Sequence, residues 1–193
     1  MPWLNLAAFV ACTESEGPGR RAALWVQGCG KRCLGCCNPE YLAIVEREIV
    51  PAESVVAKIA RAKQDFGIEG VTFLGGEPML QAKGLAHVAR ACRDLDLSVM
   101  VFSGYTLDEL ARLAPAGGDE LLSLTDVLVD GPYLAAEAEH RRNWTGSTNQ
   151  RFHYFTERYD STIESAPDGA HSVELQVGID GVLRLNGWPT RVV

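Results

Sequence analysis

A chain of 193 residues suits one domain, or one domain with an appendage. Its hydrophobic fraction of 47% and charged fraction of 22% are those of a globular protein in water, which excludes a disordered chain, a collagen and a coiled coil. The net charge of −7, from 18 basic and 25 acidic residues, speaks against nucleic acid as a partner, because phosphates call for a basic face and only the short pairs Arg20-Arg21, Lys31-Arg32 and Arg141-Arg142 are available.

The elements follow in chain order. The apolar start MPWLNLAAFVACT has no Lys or Arg before it, so it reads as a first strand and not as a signal peptide. No apolar run approaches the ~20 residues of a membrane helix. The expectation is a cytoplasmic protein with no membrane partner. Residues 22–27 (AALWVQ) read as a buried strand running into a cysteine-rich loop. Residues 51–66 read as an amphipathic helix with Val55, Ile59 and Ala62 on one face. Residues 71–74 form a strand ending in Gly75-Gly76, residues 80–94 a second helix, and residues 99–102 a strand ending in Ser103-Gly104. Residues 106–113 form a third helix, with Thr106 as N-cap and Glu109 as its capping-box partner. Residues 127–129 form a strand ending in Asp130-Gly131-Pro132.

Strands separated by helices imply parallel βαβ units. Each strand ends in a polar, Gly-bearing loop, and such loops gather on the functional rim of βα folds. The expected fold is α/β: an incomplete parallel (βα) barrel of about six strands over residues 1–159. Residues 160–170 read as a linker. Two apolar runs, 173–177 and 182–185, flank Gly178-Ile179-Asp180-Gly181, a strong hairpin signal. Residues 160–193 are therefore a linker and a C-terminal β-hairpin appendage.

Four of the six cysteines fall within nine residues: Cys29, Cys33, Cys36 and Cys37. Without a secretory signal, such a cluster points to metal or redox chemistry and not to disulfides. Three thiolates spaced C-x3-C-x2-C can hold three corners of an iron–sulfur cubane, which normally takes four Cys ligands. The fourth iron then stays open to an external ligand. Structural zinc prefers two separated pairs of ligands, and no second pair follows here. A redox CxxC pair leaves Cys29 without a purpose. Cys12 and Cys92 read as packing residues, and Cys37 as a small neighbour of the ligands. The four His show no metal-ligand spacing, and no Ser-His-Asp pattern stands out.

On these cysteines the chain resembles the radical S-adenosylmethionine (SAM) enzymes. Further stretches are similar to glycyl-radical activating enzymes, in particular to anaerobic ribonucleotide reductase activating proteins: GPGRR (17–21), LGGEP (74–78), FSGYTLDEL (102–110), DVLVDGPY (126–133) and WTGSTNQR (144–151). They come in the same order as in that family. Cys37 and Glu16 depart from its usual residues, and the hairpin extends beyond the short activases.

The resemblance implies a [4Fe-4S] cluster on Cys29, Cys33 and Cys36, with SAM on the open iron. It implies that Gly75, Gly76 and Glu77, followed by Pro78, meet the SAM amino group. Ser103 and Gly104 would approach its ribose or carboxylate, and Arg151 would grip the carboxylate. Asn38 would orient the cluster loop and Asp130 would accept a hydrogen bond in the cavity. Reductive cleavage of SAM then yields a 5′-deoxyadenosyl radical that takes hydrogen from a glycine of a partner glycyl-radical enzyme, with flavodoxin or ferredoxin as electron donor. A radical SAM enzyme acting on a peptide or small metabolite, and an iron–sulfur or zinc module without catalysis, remain the alternative classes.

Overall fold

Apolar runs without polar alternation belong in strands covered on both faces. The computed structural model of the chain, which describes residues 2–165, 172–177 and 183–187, places these runs in one central sheet. Its elements are β1 (Trp3–Thr13), β2 (Arg21–Val26), β3 (Glu48–Pro51), α1 (Ala52–Phe66), β4 (Gly70–Gly75), α2 (Ala82–Asp94), β5 (Ser98–Ser103), α3 (Leu107–Leu113), α4 (Gly118–Ser123), β6 (Val127–Asp130) and β7 (Arg151–Tyr154). A separate hairpin follows, formed by β8 (Val173–Val177) and β9 (Leu183–Gly187).

The sheet order is β3-β1-β2-β4-β5-β6-β7. The four strands β2, β4, β5 and β6 run parallel, each joined to the next by a helical crossover, as the sequence pattern requires. The flanks differ from the all-parallel expectation. β1 pairs antiparallel with β2 because residues 14–20 are too few for a crossover. β3 adds antiparallel to β1, and β7 returns antiparallel to β6. The result is a seven-stranded sheet in which β1 and β7 run against the other five strands, where about six parallel strands were expected. β3, β7 and the six-residue α4 were not foreseen.

Alternate residues of each strand serve opposite faces. Leu24 and Val26 of β2, Val71 and Phe73 of β4, and Val99 and Val101 of β5 belong to the main core with Val55 and Ile59 of α1 and Leu85 and Val88 of α2. Cys92 is buried in that core, as expected, and Cys12 packs at its edge. The other face carries Ala23, Trp25 and Leu74, then Met100, Val127 and Val129. No helix covers it. Trp144, Phe152, Tyr154 and Tyr159 pack there instead, so this face becomes the floor of a cavity.

Helix ends follow local chemistry. Thr106 Oγ1 accepts from the Glu109 N–H (3.2 Å) and Glu109 Oε2 from the Thr106 N–H (2.9 Å), the capping box read from sequence. The second helix starts at Ala82, after a 3-10 turn over Pro78–Gln81.

In the appendage, β8 has its expected bounds and β9 lies slightly later than expected. The turn 178–181 and linker residues 166–170 lie outside the described residues. The hairpin is tied to the β1–β2 loop. Asn186 Nδ2 donates to Thr13 Oγ1 (2.8 Å) and Ser15 Oγ (3.1 Å), the Gly187 N–H to Glu16 Oε1 (2.7 Å), and the Glu14 N–H to Glu174 Oε1 (2.6 Å).

Candidate functional site

The four parallel strands point their C-terminal ends one way, so the loops after them converge. Between these loops lies a cavity of about 350 Å³, a volume suited to a small ligand. Cys29, Cys33 and Cys36 line one part of it, with Cys37 and Asn38 beside them. Gly75, Gly76 and Glu77 of the loop after β4, and Ser103 and Gly104 of the loop after β5, line the next part.

The cysteine loop is held by its own backbone. Gly28 and Cys29 donate to the carbonyls of Tyr41 (2.8 Å) and Leu42 (3.1 Å), and the Cys36 N–H to Cys33 O (3.2 Å). Gly28 and Gly35 take left-handed φ of 98° and 78°, which the tight loop needs and side chains resist. Cys29 is buried and its thiol is pushed up by that burial. The Cys36 thiol is drawn down to about 6, chiefly by a hydrogen bond from Cys37 and further by the Asn38 N–H at 3.4 Å. Cys37 is exposed beside this sulfur.

Glu77 is buried, and this raises its carboxyl above the usual range. It accepts from the Met79 N–H (2.9 Å) and Ser103 Oγ (2.9 Å) on one oxygen, and from the Gly104 N–H (2.8 Å) on the other. A carboxylate offers about four acceptor sites, so one remains for a donor in the cavity. The loops also bind one another. The Gly76 N–H donates to Val26 O (2.7 Å) and the Glu77 N–H to Gly28 O (2.8 Å). Lys31 Nζ lies 2.8 Å from both oxygens of Glu109 and 4.5 Å from the centre of the Tyr105 ring, which fastens the cysteine loop to α3.

Three expected site residues stand outside the cavity lining. Pro78 is buried as the first residue of its 3-10 turn. Asp130 Oδ2 accepts from the Leu107 N–H (2.6 Å), which anchors α3, and sits 3.0 Å from His153 Nε2 on β7. Arg151 is exposed at the start of β7, in register with Asp130.

Another part of the cavity lining was missed by the sequence reading. Tyr133, His140, Trp144 and Gln150 line it, and Glu16, Ser172 and Gly187 close one side. Gln150 Oε1 accepts from the Gly146 N–H (2.8 Å), its Nε2 donates to Gly131 O (3.2 Å), and Asn149 Nδ2 donates to Pro132 O (2.9 Å). The WTGSTNQR segment thus locks onto the DGPY loop, and its first residue, not its last, reaches the cavity. The available signal was the Trp itself, a large residue in an otherwise polar turn sequence.

The donor set fits an iron–sulfur cluster better than one metal ion. Among the described residues, no three His, Cys, Asp or Glu side chains converge on a point where a single ion would sit. A tetrahedral zinc site requires such convergence. A cluster is held at separate corners by separate thiolates, and Cys29, Cys33 and Cys36 all line the cavity.

Comparison with known proteins agrees with this chemistry. Residues 15–153 match the 4Fe-4S single cluster domain family. The anaerobic ribonucleoside-triphosphate reductase-activating protein of Vibrio cholerae is 35% identical over 161 residues, covering 79% of this chain and 99% of that protein. Its counterpart in Haemophilus influenzae is 34% identical over 163 residues, again 79% and 99%. The pyruvate formate-lyase-activating enzyme of Clostridium pasteurianum is 31% identical over 116 residues, 59% of this chain and 46% of that enzyme. By both the matched domain and the extent of these similarities, the chain belongs to the 4Fe-4S single cluster domain family and to the family of anaerobic ribonucleoside-triphosphate reductase-activating proteins.

Proposed function

We propose that this protein is a radical SAM activase that places a glycyl radical on a partner enzyme, most simply an anaerobic ribonucleotide reductase. The observation that carries the reading is one cavity lined by three thiols in C-x3-C-x2-C spacing and by the buried Glu77 carboxylate. When bound, the [4Fe-4S] cluster and SAM supply an electron and a C5′–S bond whose reductive cleavage gives methionine and a 5′-deoxyadenosyl radical, which takes the Cα hydrogen of a partner glycine.

The chain's own residues hold and shield. Cys29, Cys33 and Cys36 ligate the cluster. The Asn38 N–H donates a hydrogen bond to the Cys36 sulfur, the kind of contact that tunes cluster potential. Glu77 accepts from the SAM ammonium with its remaining acceptor site, and the nearby Ser103 and Gly104 fix its orientation. Gly75 and Gly76 present bare backbone beside it. The Tyr133–Trp144 wall excludes water from the reacting atoms. Asp130 acts at a distance, by holding α3 through the Leu107 N–H, and Arg151 lies in register with it at the exposed start of β7. A flavodoxin or ferredoxin donates the electron, in a cytoplasm that keeps the thiols reduced, without nucleic acid or membrane. No helix among the described residues is long and apolar enough to cross a membrane.

The test is anaerobic reconstitution of cysteine variants. Cys29→Ala, Cys33→Ala and Cys36→Ala each lose the cluster absorbance and form no 5′-deoxyadenosine from SAM and dithionite. Cys37→Ala and Cys92→Ala keep the cluster. A Cys33→Ala variant that retained both cluster and SAM cleavage would overturn the ligand assignment.

A further inference from the structure

The C-terminal hairpin is inverted with respect to the usual half-buried sheet. Val173, Leu175 and Val177 alternate along β8 and so share one face. The β8–β9 register sets Leu183 opposite Val177, and Gly187 opposite Val173, on that same face. Glu174 and Asn186 pair with each other on the other face. A sheet with one wet side ordinarily lays its apolar face on the core. Here the polar face is bound to the body. Asn186 Nδ2 donates to Thr13 Oγ1 (2.8 Å) and Ser15 Oγ (3.1 Å), and Glu174 Oε1 accepts from the Glu14 N–H (2.6 Å). The apolar face looks outward, with Leu175, Val177 and Leu183 exposed by 58%, 67% and 61%. Clustered exposed apolar side chains mark an interaction surface, and a lone two-stranded hairpin is marginal until something packs on it.

Its position says what packs there. The face begins at the cavity: Gly187 and Ser172, the chain neighbour of Val173, both line it. Val177 stands four residues further along the strand, about 13 Å away. The matched domain ends at residue 153 and already contains Cys29, Cys33, Cys36, Glu77, Ser103 and Gly104. The hairpin thus adds no part of the cofactor site. It adds an apolar surface beside the mouth of the cavity.

We propose that the outward face of β8 and β9, formed by Val173, Leu175, Val177 and Leu183, is a docking surface for the partner enzyme that receives the radical, and takes an apolar patch beside its target glycine. This rests on the function proposed above, which requires a glycine of a macromolecule to enter this cavity. A partner that brings a loop past Ser172 and Gly187 lies against the adjoining face. The hydrogen bonds to the β1–β2 loop fix that face beforehand, which lowers the ordering cost of docking.

The experiment compares the reconstituted wild-type protein with the full-length double variant Leu175→Ser, Leu183→Ser. Two rates are measured: 5′-deoxyadenosine formation from SAM and dithionite alone, and glycyl radical formation on an anaerobic ribonucleotide reductase of the same organism. Loss of two apolar side chains from a buried contact raises the KM for the reductase at least about tenfold. Partner-free SAM cleavage stays at the wild-type rate. A wild-type KM in the variant overturns the inference. So does a wild-type dimer that the variant converts to monomer with the KM unchanged, since the face then serves a second copy of this chain. Should the variant not fold, hydrogen exchange of the wild-type protein replaces it: residues 173–177 and 183–187 gain protection on adding the reductase, and unchanged exchange there, with protection elsewhere, refutes the docking. A wild-type protein that cleaves SAM and forms no radical on the reductase fails the proposed function itself, a result distinct from an unchanged KM in an active enzyme.

Discussion

Replacing Gly76 by Ala separates two explanations for the bareness of the loop after β4. The sequence alone suggests that Gly76 leaves room for SAM. In the structure, a Cβ at Gly76 would lie 2.3 Å from Gly28 O, 2.7 Å from Gly28 C and 2.9 Å from Gly28 N. These are backbone atoms and cannot swing aside. The loop must lift, and the hydrogen bond from Glu77 N–H to Gly28 O lengthens or breaks. Overpacking of this kind costs about 1–3 kcal/mol, and the lost hydrogen bond adds about 1 kcal/mol. At about 2–4 °C per kcal/mol for a chain of this size, the melting temperature falls by about 5–15 °C. Gly28 directly precedes Cys29, so iron incorporation falls as well. The assay is an anaerobic melt, iron content after reconstitution, and SAM affinity. A Gly76→Ala protein with wild-type melting temperature and iron content, impaired only in SAM binding, would refute the steric argument and restore the simpler one.

Other perturbations follow from the same geometry. Glu16 is buried beside the hairpin, and that burial pushes its carboxyl up to about 7 from an ordinary 4.5. The folded chain then binds more protons than the unfolded chain between those values, so this residue's contribution to stability falls as pH rises from 4.5 to 7. Glu16→Gln removes the dependence: its melting temperature gains on wild type from pH 5 to pH 8, by at most about 3 kcal/mol of stability, and a constant gap rejects the assignment. Arg21, fully buried, donates to Thr72 Oγ1 (2.8 Å), Ser98 Oγ (2.9 Å), Pro18 O (3.0 Å) and Val71 O (2.6 Å). Arg21→Met strands these acceptors and lowers stability by about 3 kcal/mol or more in a denaturant titration; a loss below about 1 kcal/mol contradicts the network's role. Thr106→Ala removes the α3 cap and costs about 1 kcal/mol by the same titration, with iron content unchanged.

The parallel core was legible because its strands are buried on both faces and read as uninterrupted apolar runs, while α1 and α2 carry clear one-faced patterns. The cluster loop and the GGE loop were legible because their chemistry is dense in a few residues. β3 and β7 escaped because four residues, EIVP and RFHY, carry no readable period. Arg21 looked like half of a surface basic pair. Its inward position comes from the β2 register and from acceptors on β4 and β5 that lie far away in sequence. The wall with Tyr133 and Trp144 escaped for a related reason. Turn residues build it, and side-chain to backbone bonds from Asn149 and Gln150 hold it, which leaves no periodic trace. Asp130 was legible as a strand end, but its bond to the Leu107 N–H of α3 and its register opposite Arg151 join segments far apart in sequence and leave no local trace.

The central claim is that a glycine of a partner protein gives up hydrogen in this cavity. The most direct measurement incubates the reconstituted protein, SAM and dithionite without oxygen, together with an anaerobic ribonucleotide reductase labelled with [2-2H]glycine. The mass of the 5′-deoxyadenosine is then determined. The account predicts one deuterium in the product, dependent on Cys33, and a glycyl radical signal on the partner. Product that forms at the same rate without the partner and carries no deuterium would contradict it.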